Sequence, residues 1–409
     1  MKFFVDGTIA CDVHYEKEMI KNIITFSNNE ICEYIDEADY IIVIDSCIGT
    51  YKSFLEIINY LKLVNEYKRE DAKIILSGCL AKGVNFELNQ EQLDILNSTI
   101  VIQSNDIASY VAELVGFEKS CEEDFDVPSK VEAHVLTTSL VQGCLNNCSF
   151  CKKNYMNFDL KSIKLESIKL LVDDLNENDY PIYYGRLISS NLSLYGMDLY
   201  HEKRAHEAIN LFSQINSIKY ITIGALINWY PELLKEILNN PKIKQIFTSL
   251  ETGSPRLYSL MNRPIPLEEL INIIKTIRQE RPDIKIDTEF IAGFPTENID
   301  DIKATINLVE ELGVNPMFVH PYINSFAVPA SQLPQHSDEY IRYSKKYIDN
   351  KLEKYINLIY SELENDEKIV TRFYEKYNVY EVLLKNGDTR RISAKKLTRK
   401  YEPGQIILK

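Results

Sequence analysis

The chain has 409 residues, of which 45% are hydrophobic and 26% are charged, so it allows two or three domains and does not read as a disordered chain. Its formal net charge of −14 disfavours a protein whose main task is to grip nucleic acid through a basic surface. No run of about 18 apolar residues occurs, and residues 1–18 lack the pattern of a secretory signal. We therefore expect a cytoplasmic protein with no membrane partner.

The first region, residues 1–117, alternates short apolar runs with helical patterns. Strands are predicted at residues 1–7, 40–45, 73–78 and 99–103, and helices at residues 16–28, 51–67 and 90–96. Because this alternation is typical of a parallel sheet with helices on its faces, we expect a parallel α/β domain. The acidic segment at residues 121–130 breaks the pattern and is interpreted as a linker.

From Val131 the alternation resumes on a larger scale. Strands are predicted at residues 135–141, 181–189, 219–227, 244–250, 284–293 and 315–322. Helices are predicted between them at residues 165–175, 202–215, 231–238, 266–278 and 299–312. Successive strand–helix units of this kind predict a partial (β/α) barrel, whose active site lies at the C-terminal ends of the strands.

The third region follows a long polar helix predicted at residues 337–364. It contains four strand-like pieces (KIVTRFY, VYEVLLKNG, TRRISAK and GQIILK) and an Asn386-Gly387 turn signal, which predict a small β-barrel or curled sheet. Residues 366–409 carry 11 Lys and Arg against 6 Asp and Glu, a local balance of +5. The remainder of the chain therefore carries −19.

The strongest chemical motif is GCLNNCSFC at residues 143–151, which spaces Cys144, Cys148 and Cys151 as Cys-x3-Cys-x2-Cys. A four-iron cluster normally takes four cysteines, so three close thiolates leave one iron with an open position. A zinc site or a set of buried thiols is the alternative. Zinc sites usually show a second pair of ligands or a matching His, and neither follows Cys151.

Three further cysteines each follow a predicted strand of the first region: Cys11, Cys47 and Cys79. Because the carboxyl ends of parallel strands share one edge of the sheet, these thiols could meet there and hold a second iron–sulfur cluster. Each of them could equally be a small buried hydrophobic residue. Cys32 and Cys121 fit neither set and are interpreted as structural.

The chain resembles the radical S-adenosylmethionine methylthiotransferase family over nearly its whole length. Residues 10–19, 45–47 and 77–79 are similar to the three N-terminal cysteine motifs of the family, and GCLNNCSFC, including Phe150, is similar to its radical motif. Further similar blocks lie at residues 187–198, 250–263 and 287–297. The resemblance is specific because separate blocks occur in the right order.

The resemblance implies an enzyme with an α/β fold class and a defined domain order. It implies an N-terminal auxiliary-cluster domain at residues 1–120, a linker at 121–133, a partial (β/α)6 radical SAM barrel at 134–335, a connecting helix at 336–365 and a reduced TRAM-like β domain at 366–409. The implied cofactors are S-adenosylmethionine and two [4Fe–4S] clusters. An external one-electron reductant such as flavodoxin or ferredoxin is the implied electron-donating partner.

The resemblance also assigns roles to residues. Cys144, Cys148 and Cys151 would bind the cluster whose open iron chelates the methionine part of the cofactor, and Cys11, Cys47 and Cys79 would hold an auxiliary cluster that delivers sulfur. Phe150 would pack on the adenine. Ser190, Glu251 and Glu289 would contact ribose or amine, with a plain polar role at a strand end as the alternative for each. Phe294 is expected to pack beneath the site.

The acceptor is the open question, because the departures from the family pattern fall on the substrate side. The loop at residues 322–331 lacks the Arg that the family carries there, Glu251 stands where a Gln is expected, Asp45 replaces an Asn, and the C-terminal region is short. Together with the acidic body, these changes favour methylthiolation of a peptide or protein side chain.

Two alternatives remain open. The basic run RRISAKKLTRK at residues 390–400 could bind tRNA, whose adenosine is another family substrate, although such a run is also typical of a solvated strand face. A radical enzyme that forms a different carbon–sulfur bond in a peptide, such as a thioether, is the second alternative. Transfer of labelled methyl from the cofactor would separate it from a methylthiotransferase.

Overall fold

The computed structural model describes residues 1–7, 14–44, 51–78, 80, 88–102, 106–117, 127, 129–132, 135–151, 159–178, 180, 182–324, 328–357, 368–374, 379–384, 389–393 and 406–407. The chain folds into two units, drawn mainly from Met1–Pro128 and from Ser129–Lys409. In the ranges described, no helix combines the length and the apolar character needed to cross a bilayer.

The N-terminal unit is a parallel sheet with helices packed on it. Its strands are β1 (Lys2–Gly7), β2 (Glu30–Ile31), β3 (Tyr40–Ile44), β4 (Lys73–Leu76) and β5 (Ile100–Val101), and they lie in the order β2-β1-β3-β4-β5. Its helices are α1 (His14–Phe26), α2 (Tyr51–Tyr67), α3 (Gln90–Asn97) and α4 (Ile107–Leu114). Every strand pairing is parallel, which confirms the expected α/β architecture.

Both faces of this sheet are buried because successive side chains of a strand point to opposite faces. Ile41 and Val43 of β3 belong to one hydrophobic core with Phe54 of α2. Ile42 and Ile44 of the same strand belong to a second core, which α1 and α4 cover. The continuous apolar run that predicted a strand at residues 40–45 is therefore the pattern of a strand covered on both sides.

Two elements of this unit were not predicted. Strand β2 has only two residues, too few for any periodicity to show. Helix α4 is short, and its buried face consists of Ile107 and Val111, which lie one helical turn apart.

The second unit contains a larger, mainly parallel sheet. Its first elements are β6 (Ser129–Glu132), β7 (Val135–Ser139), β8 (Val141–Gln142), β9 (Lys161–Ser162), α5 (Leu165–Glu177), β10 (Tyr184–Ile188), α6 (Ala205–Phe212), β11 (Tyr220–Ile223), α7 (Pro231–Asn239) and β12 (Ile243–Phe247). It continues with α8 (Pro255–Leu260), α9 (Leu267–Glu280), β13 (Lys285–Ala292), α10 (Ile299–Leu312), β14 (Asn315–Pro321) and α11 (Asp338–Asn357).

The strand order of this sheet is that of a partial barrel. It runs β14-β13-β12-β11-β10-β7-β6, and each strand from β7 to β14 in that series pairs in parallel with its neighbours. Six parallel strands with intervening helices agree with the predicted (β/α) barrel. Among the described residues the sheet ends at β6 on one side and at β14 on the other, so it stays open.

Strand β6 lies within residues 121–133, the segment interpreted from its sequence as a linker. Residues 129–132 pair antiparallel with β7, with Ser129 opposite Thr138 and Glu132 opposite Val135. The physical reason is that β7 would otherwise be an edge strand with a row of unpaired backbone groups, which a short flanking strand satisfies.

Capping residues explain several helix boundaries of the barrel. Helices α7 and α8 begin at Pro231 and Pro255, where a missing N–H is tolerated. Helix α10 begins after Asn298, whose side chain forms a capping box with Asp301, and ends at Gly313 with a φ of 58°. These signals are readable in sequence, and the predicted bounds of α10 match the observed ones.

A small antiparallel sheet forms from the C-terminal strands. These are β15 (Lys368–Tyr374), β16 (Val379–Leu384), β17 (Thr389–Ser393) and β18 (Ile406–Ile407), in the order β17-β16-β15-β18. Tyr380 and Val382 of β16 are buried. The four strands coincide with the four predicted pieces, whereas the Asn386-Gly387 turn signal lies outside the described residues.

Candidate active site

The loop that carries Cys144, Cys148 and Cys151 emerges at the C-terminal end of the first parallel barrel strand. It is closed at its base by β8 and β9, which pair antiparallel. Gly143 opens the loop with a φ of +78°, and a Cβ at this position would lie 2.9 Å from the carbonyl carbon of Asp159 and closer still to its oxygen. Only glycine therefore fits this approach of the two loop ends.

A second contact fixes the far side of this base. The carboxylate of Asp198 accepts hydrogen bonds from the backbone N of Ser162 at 2.7 Å and from its hydroxyl at 2.6 Å. The backbone N of Gly196 donates to the same Ser162 hydroxyl at 2.9 Å. The segment after β10 thus holds β9, and with it the end of the cysteine loop.

The centre of the loop is attached to the end of α8. The backbone N of Ser149 donates to the carbonyl of Met261 at 2.9 Å, and its hydroxyl donates to the carbonyl of Leu260 at 2.7 Å. The Asn262 side chain donates to the carbonyl of Asn147 at 2.7 Å. These three bonds flank Cys148 on both sides, so α8 determines where its sulfur lies.

Cys148 and Cys151 lie one tight turn apart. The backbone N of Cys151 donates to the carbonyl of Cys148 at 3.1 Å. Cys148 is 5% exposed and Cys151 is half-buried. Burial raises the pKa of Cys148 to about 11, with the Arg263 charge opposing this rise and Cys151 and Glu251 adding to it. A thiolate here therefore needs a positive partner such as a metal ion.

Arg263 supplies positive charge at Cys148. Its Nη1 lies 3.3 Å from Cys148 Sγ and 3.5 Å from Glu251 Oε1, and its Nη2 donates to the carbonyl of Ser249 at 3.0 Å. The guanidinium carbon lies 6.0 Å from the centre of the Phe150 ring. The Arg263 and Glu251 side chains are 3% and 6% exposed, so their interaction is almost fully excluded from solvent.

Cys144 is held by a partly buried network of amides. The Asn191 side chain donates to Cys144 Sγ at 3.5 Å and to Asn228 Oδ1 at 2.7 Å. Asn228 in turn exchanges hydrogen bonds with Asn146 of the cysteine loop at 2.8 and 3.0 Å. The Ser193 hydroxyl donates to Asn191 Oδ1 at 2.8 Å and so fixes the amide orientation.

The other predicted contact residues lie on the same side of the barrel, but not all of them at strand ends. Ser190 follows β10 by two residues, and Glu251 follows β12 by four and forms a bridge to Phe290. Glu289 lies inside β13 rather than at its end. Phe294 is fully buried and packs edge-on against Tyr322, with ring centres 5.5 Å apart.

Glu251 and Glu289 differ in protonation behaviour. Burial raises the pKa of Glu251 to about 8, with Arg263 opposing the rise and Glu289 adding to it. Burial also acts to raise the pKa of Glu289, but a hydrogen bond and charge from His320 outweigh it and hold that pKa below its usual range. Glu289 accepts bonds from Ser249 Oγ at 2.8 Å and, with His320 protonated at Nε2, from His320 at 3.1 Å. Glu251 is turned to Arg263, whereas Glu289 is partly exposed.

The thiols of the loop suit an iron–sulfur cluster by their chemistry, although they are not preassembled as a cage. Cys144, Cys148 and Cys151 form no disulfide and lie within eight residues of chain, with N–H donors aimed at two of the sulfurs. In the described ranges, no three His, Cys, Asp or Glu side chains approach closely enough to hold a metal ion. Cys11, Cys47, Cys79 and Cys121 lie outside the described residues.

Sequence reasoning missed Asn191 and Arg263. Both lie in blocks that were singled out, residues 187–198 and 250–263, but nothing in the spacing shows which side chain of a block approaches a sulfur. A polar residue in an otherwise apolar strand-end segment is the available signal. Asn191 lies 47 residues from Cys144 along the chain, and Arg263 lies 115 residues from Cys148, so only the folded structure brings each pair together.

Comparison with known proteins agrees with this arrangement. The family model described as "Radical SAM superfamily" matches residues 138–309, and the one described as "Uncharacterized protein family UPF0004" matches residues 5–98. The ribosomal protein uS12 methylthiotransferase RimO of Clostridioides difficile is 27% identical over 374 residues, covering 87% of this chain and 81% of the relative. A tRNA-2-methylthio-N(6)-dimethylallyladenosine synthase of Thermosipho africanus is 26% identical over 330 residues, covering 76% and 73%.

Solved structures with the same fold include two radical S-adenosylmethionine enzymes. The methyltransferase TsrM of Kitasatospora setae, with tryptophan and a cofactor analogue bound, gives a TM-score of 0.54 at 10% identity over 80% of this chain and 75% of the other. The cobalamin-dependent enzyme OxsB gives a TM-score of 0.50 at 11% identity over 85% and 56%. At such low identity these likenesses show the fold alone.

The radical SAM match implies S-adenosylmethionine and a [4Fe–4S] cluster as cofactors. The matches to both halves of the chain and to methylthiotransferases over more than three quarters of its length point to one family. The chain carries a radical SAM domain and a UPF0004 domain, and it is similar to radical S-adenosylmethionine methylthiotransferases over more than three quarters of its length.

Proposed function

We propose that this enzyme transfers a methylthio group to an unactivated C–H bond of a peptide or protein side chain. The observation that carries the choice of acceptor is the charge distribution, since residues 1–365 carry −19 and would repel a polyanion over a broad surface. The likeness to uS12 methylthiotransferases, whose name states a protein acceptor, supports this choice.

We further propose that Cys144, Cys148 and Cys151 hold the radical cluster. Three thiolates occupy three irons and leave one for S-adenosylmethionine, and the bound cluster supplies the electron for its reductive cleavage. The residues of this chain position the thiols: α8 holds Cys148 through Ser149 and Asn262, and the amide network holds Cys144. Phe150, Ser190, Glu251 and Glu289 are the proposed cofactor contacts, with Glu251 acting mainly through Arg263.

Cys11, Cys47 and Cys79 are proposed to hold a second [4Fe–4S] cluster that carries the sulfur to be transferred. The supporting observation is strand order, because the strands that precede these cysteines, β1, β3 and β4, are adjacent and parallel in the N-terminal sheet. Their carboxyl ends therefore lie side by side at one edge.

The remaining partners follow from this chemistry. Residues 1–120 are proposed as the auxiliary-cluster domain, 134–335 as the radical barrel and 366–409 as a reduced TRAM-like domain joined through residues 336–365. Each turnover requires electrons from outside, so we propose a flavodoxin or ferredoxin as the reductant.

Anaerobic reaction of the reconstituted enzyme with S-adenosylmethionine carrying a ¹³C methyl group tests the proposal. Candidate peptides and bulk tRNA are supplied in separate reactions, and mass analysis follows. A labelled methylthio group on a peptide side chain is the expected result. Labelled thiomethyl-adenosine would replace the peptide proposal with the tRNA alternative, and a peptide product without labelled methyl would favour another carbon–sulfur bond. A Cys144/Cys148/Cys151→Ala variant is the inactive control.

A further inference from the structure

We propose that Arg263 is a positioning residue that holds the Cys148 thiolate and raises the reduction potential of the barrel cluster. This inference rests on the proposed assignment of Cys144, Cys148 and Cys151 as the ligands of that cluster. Arg263 would then help to set how readily the cluster accepts an electron, although it lies outside the cysteine motif.

The contacts of Arg263 bring its positive charge next to the Cys148 sulfur. Nη1 approaches Cys148 Sγ at 3.3 Å, which is closer than its 3.5 Å distance to Glu251 Oε1, although a sulfur atom is larger than an oxygen. Nη2 is fixed by the carbonyl of Ser249 at 3.0 Å. The planar guanidinium is therefore clamped from one side and presents its other edge to the sulfur.

Arg263 also retains an unused donor. Its Nε–H is buried and has no hydrogen-bond partner among the residues that the structure describes. A buried donor without an acceptor is destabilising, so a bound group that brought an acceptor within reach of this N–H would remove a penalty already present in the fold. An iron–sulfur cluster brings sulfur acceptors of this kind.

The sign of the effect follows from charge. Taking up one electron adds one negative charge to the cluster, so a nearby cation stabilises the reduced form more than the oxidised form. At 3% exposure Arg263 is little screened by solvent, and its hydrogen bond to sulfur acts in the same direction. Glu251, once ionised above its pKa of about 8, partly balances this cation and acts with the opposite sign.

Cys144 provides an internal comparison. Its sulfur receives a neutral amide N–H from Asn191 at 3.5 Å, whereas Cys148 receives a charged one at 3.3 Å. Charge-assisted hydrogen bonds are about twice as strong as neutral ones. The two donors orient two ligands of one loop, but only Arg263 brings a full charge.

The test measures the midpoint potential of the barrel cluster at a pH above 8, where Glu251 is ionised, by EPR-monitored redox titration without S-adenosylmethionine. A full-length Cys11/Cys47/Cys79→Ala background removes the signal of the proposed second cluster. The variants are Arg263→Lys, Arg263→Met and Glu251→Gln. Arg256→Met is the matched control, because Arg256 lies on α8 and pairs with the buried Asp301. Iron and sulfide content is measured first in every protein.

We expect Arg263→Met to make reduction about tenfold less favourable, which is about 59 mV for a one-electron couple. Arg263→Lys should shift the potential less, Glu251→Gln should shift it upward, and Arg256→Met should leave it unchanged. An unchanged potential in cluster-loaded Arg263→Met overturns the inference. If Arg263→Met does not load iron, the Glu251→Gln potential decides, and no upward shift overturns the inference. Lack of iron in the parent protein instead refutes the cysteine assignment itself.

Discussion

Gly143 is the residue on which the geometry of the cysteine loop depends most directly. Its positive φ and the backbone of Asp159 against it leave no room for a side chain. This requirement arises from the pairing of β8 and β9, a hairpin base of two residues on each side. The first glycine of the GCLNNCSFC motif therefore has a steric role distinct from that of the three thiols.

We predict that Gly143→Ala destabilises the loop by about 1–3 kcal/mol and sharply lowers iron loading after reconstitution. Gly313→Ala is the matched control, because Gly313 also has a positive φ of 58° but a Cβ added there would meet no heavy atom within 4 Å. It should cost about 1 kcal/mol and leave iron loading unchanged. Equal iron content in both variants would contradict the steric argument.

Glu297 is a buried carboxyl outside the cysteine site. Its Oε1 accepts hydrogen bonds from the backbone N of Gly293 at 2.8 Å and from Ser344 Oγ of α11 at 2.5 Å. Burial raises its pKa from 4.5 to about 7, while these two hydrogen bonds oppose the rise and Asp301 adds to it. The folded protein therefore keeps a proton that the unfolded chain releases.

The consequence is a stability that falls with rising pH. Below pH 4.5 the carboxyl is protonated in the folded and the unfolded state, so its contribution to stability is fully present. Between pH 4.5 and about 7 only the unfolded chain releases the proton, so the free energy of unfolding falls progressively as the pH rises. The full difference is about 3 kcal/mol above pH 7. We predict that Glu297→Gln removes most of this slope in denaturant unfolding from pH 5 to 8. Glu280→Gln, at an exposed position, is the control and should leave the pH dependence of stability unchanged. The same pH dependence in Glu297→Gln as in wild type would refute the prediction.

At the scale of elements, a row of polar side chains ties four neighbouring barrel strands together. Asp287 of β13 accepts hydrogen bonds from Gln245 of β12 at 2.5 Å and from Asn315 of β14 at 2.7 Å. Thr222 of β11 donates to Gln245 Oε1 at 3.3 Å. Asp287 is 2% exposed, so its two neighbours satisfy a carboxylate that water does not reach.

We predict that Asp287→Ala lowers the free energy of unfolding by about 1–3 kcal/mol, because it removes the carboxylate that accepts from the buried amide of Gln245 and the half-buried amide of Asn315. Asp173→Ala is the control. It removes a solvent-exposed carboxylate that pairs with Lys169 one turn away on α5, which should change stability by less than about 1 kcal/mol. Urea unfolding of both variants measures the difference, and similar losses would show that the row adds nothing.

Elements with a clear period were predictable, and short or edge elements were not. The bounds predicted for α2 and α10 coincide with those observed, since amphipathic spacing marks α2 and capping residues define the ends of α10. Strands β2 and β6 were not predicted, because each is a short edge strand that is recognised by its pairing with another strand rather than by its own sequence pattern. Helix α8 is a single short stretch of six residues, below the length at which periodicity can be recognised.

The same division applies to the candidate site. Spacing alone indicated Cys144, Cys148 and Cys151, because these thiols are close in sequence as well as in space. The donors Asn191 and Arg263 reach the sulfurs only after the barrel has brought β10 and α8 to the same edge. Sequence patterns report local periodicity, whereas contacts over 115 residues are determined by topology.

At the scale of the whole molecule, one chain combines a parallel N-terminal sheet with an open barrel, and each presents cysteine segments after its strands. Cys11, Cys47 and Cys79 follow neighbouring strands of the first sheet, and the GCLNNCSFC loop follows the first parallel strand of the second. In both cases the carboxyl edge of a parallel sheet is the place where loops, and with them ligands, gather. The net charge of −19 on residues 1–365 would then disfavour a polyanionic acceptor such as tRNA.

The most direct test of the central claim is iron and sulfide analysis with EPR on anaerobically reconstituted wild type and on the Cys144/Cys148/Cys151→Ala variant. Wild type should hold about eight irons per chain as two [4Fe–4S] clusters and cleave S-adenosylmethionine on reduction. The variant should hold about four irons and leave the cofactor intact. Equal iron content in the two proteins, or cofactor cleavage by the variant, would contradict the account.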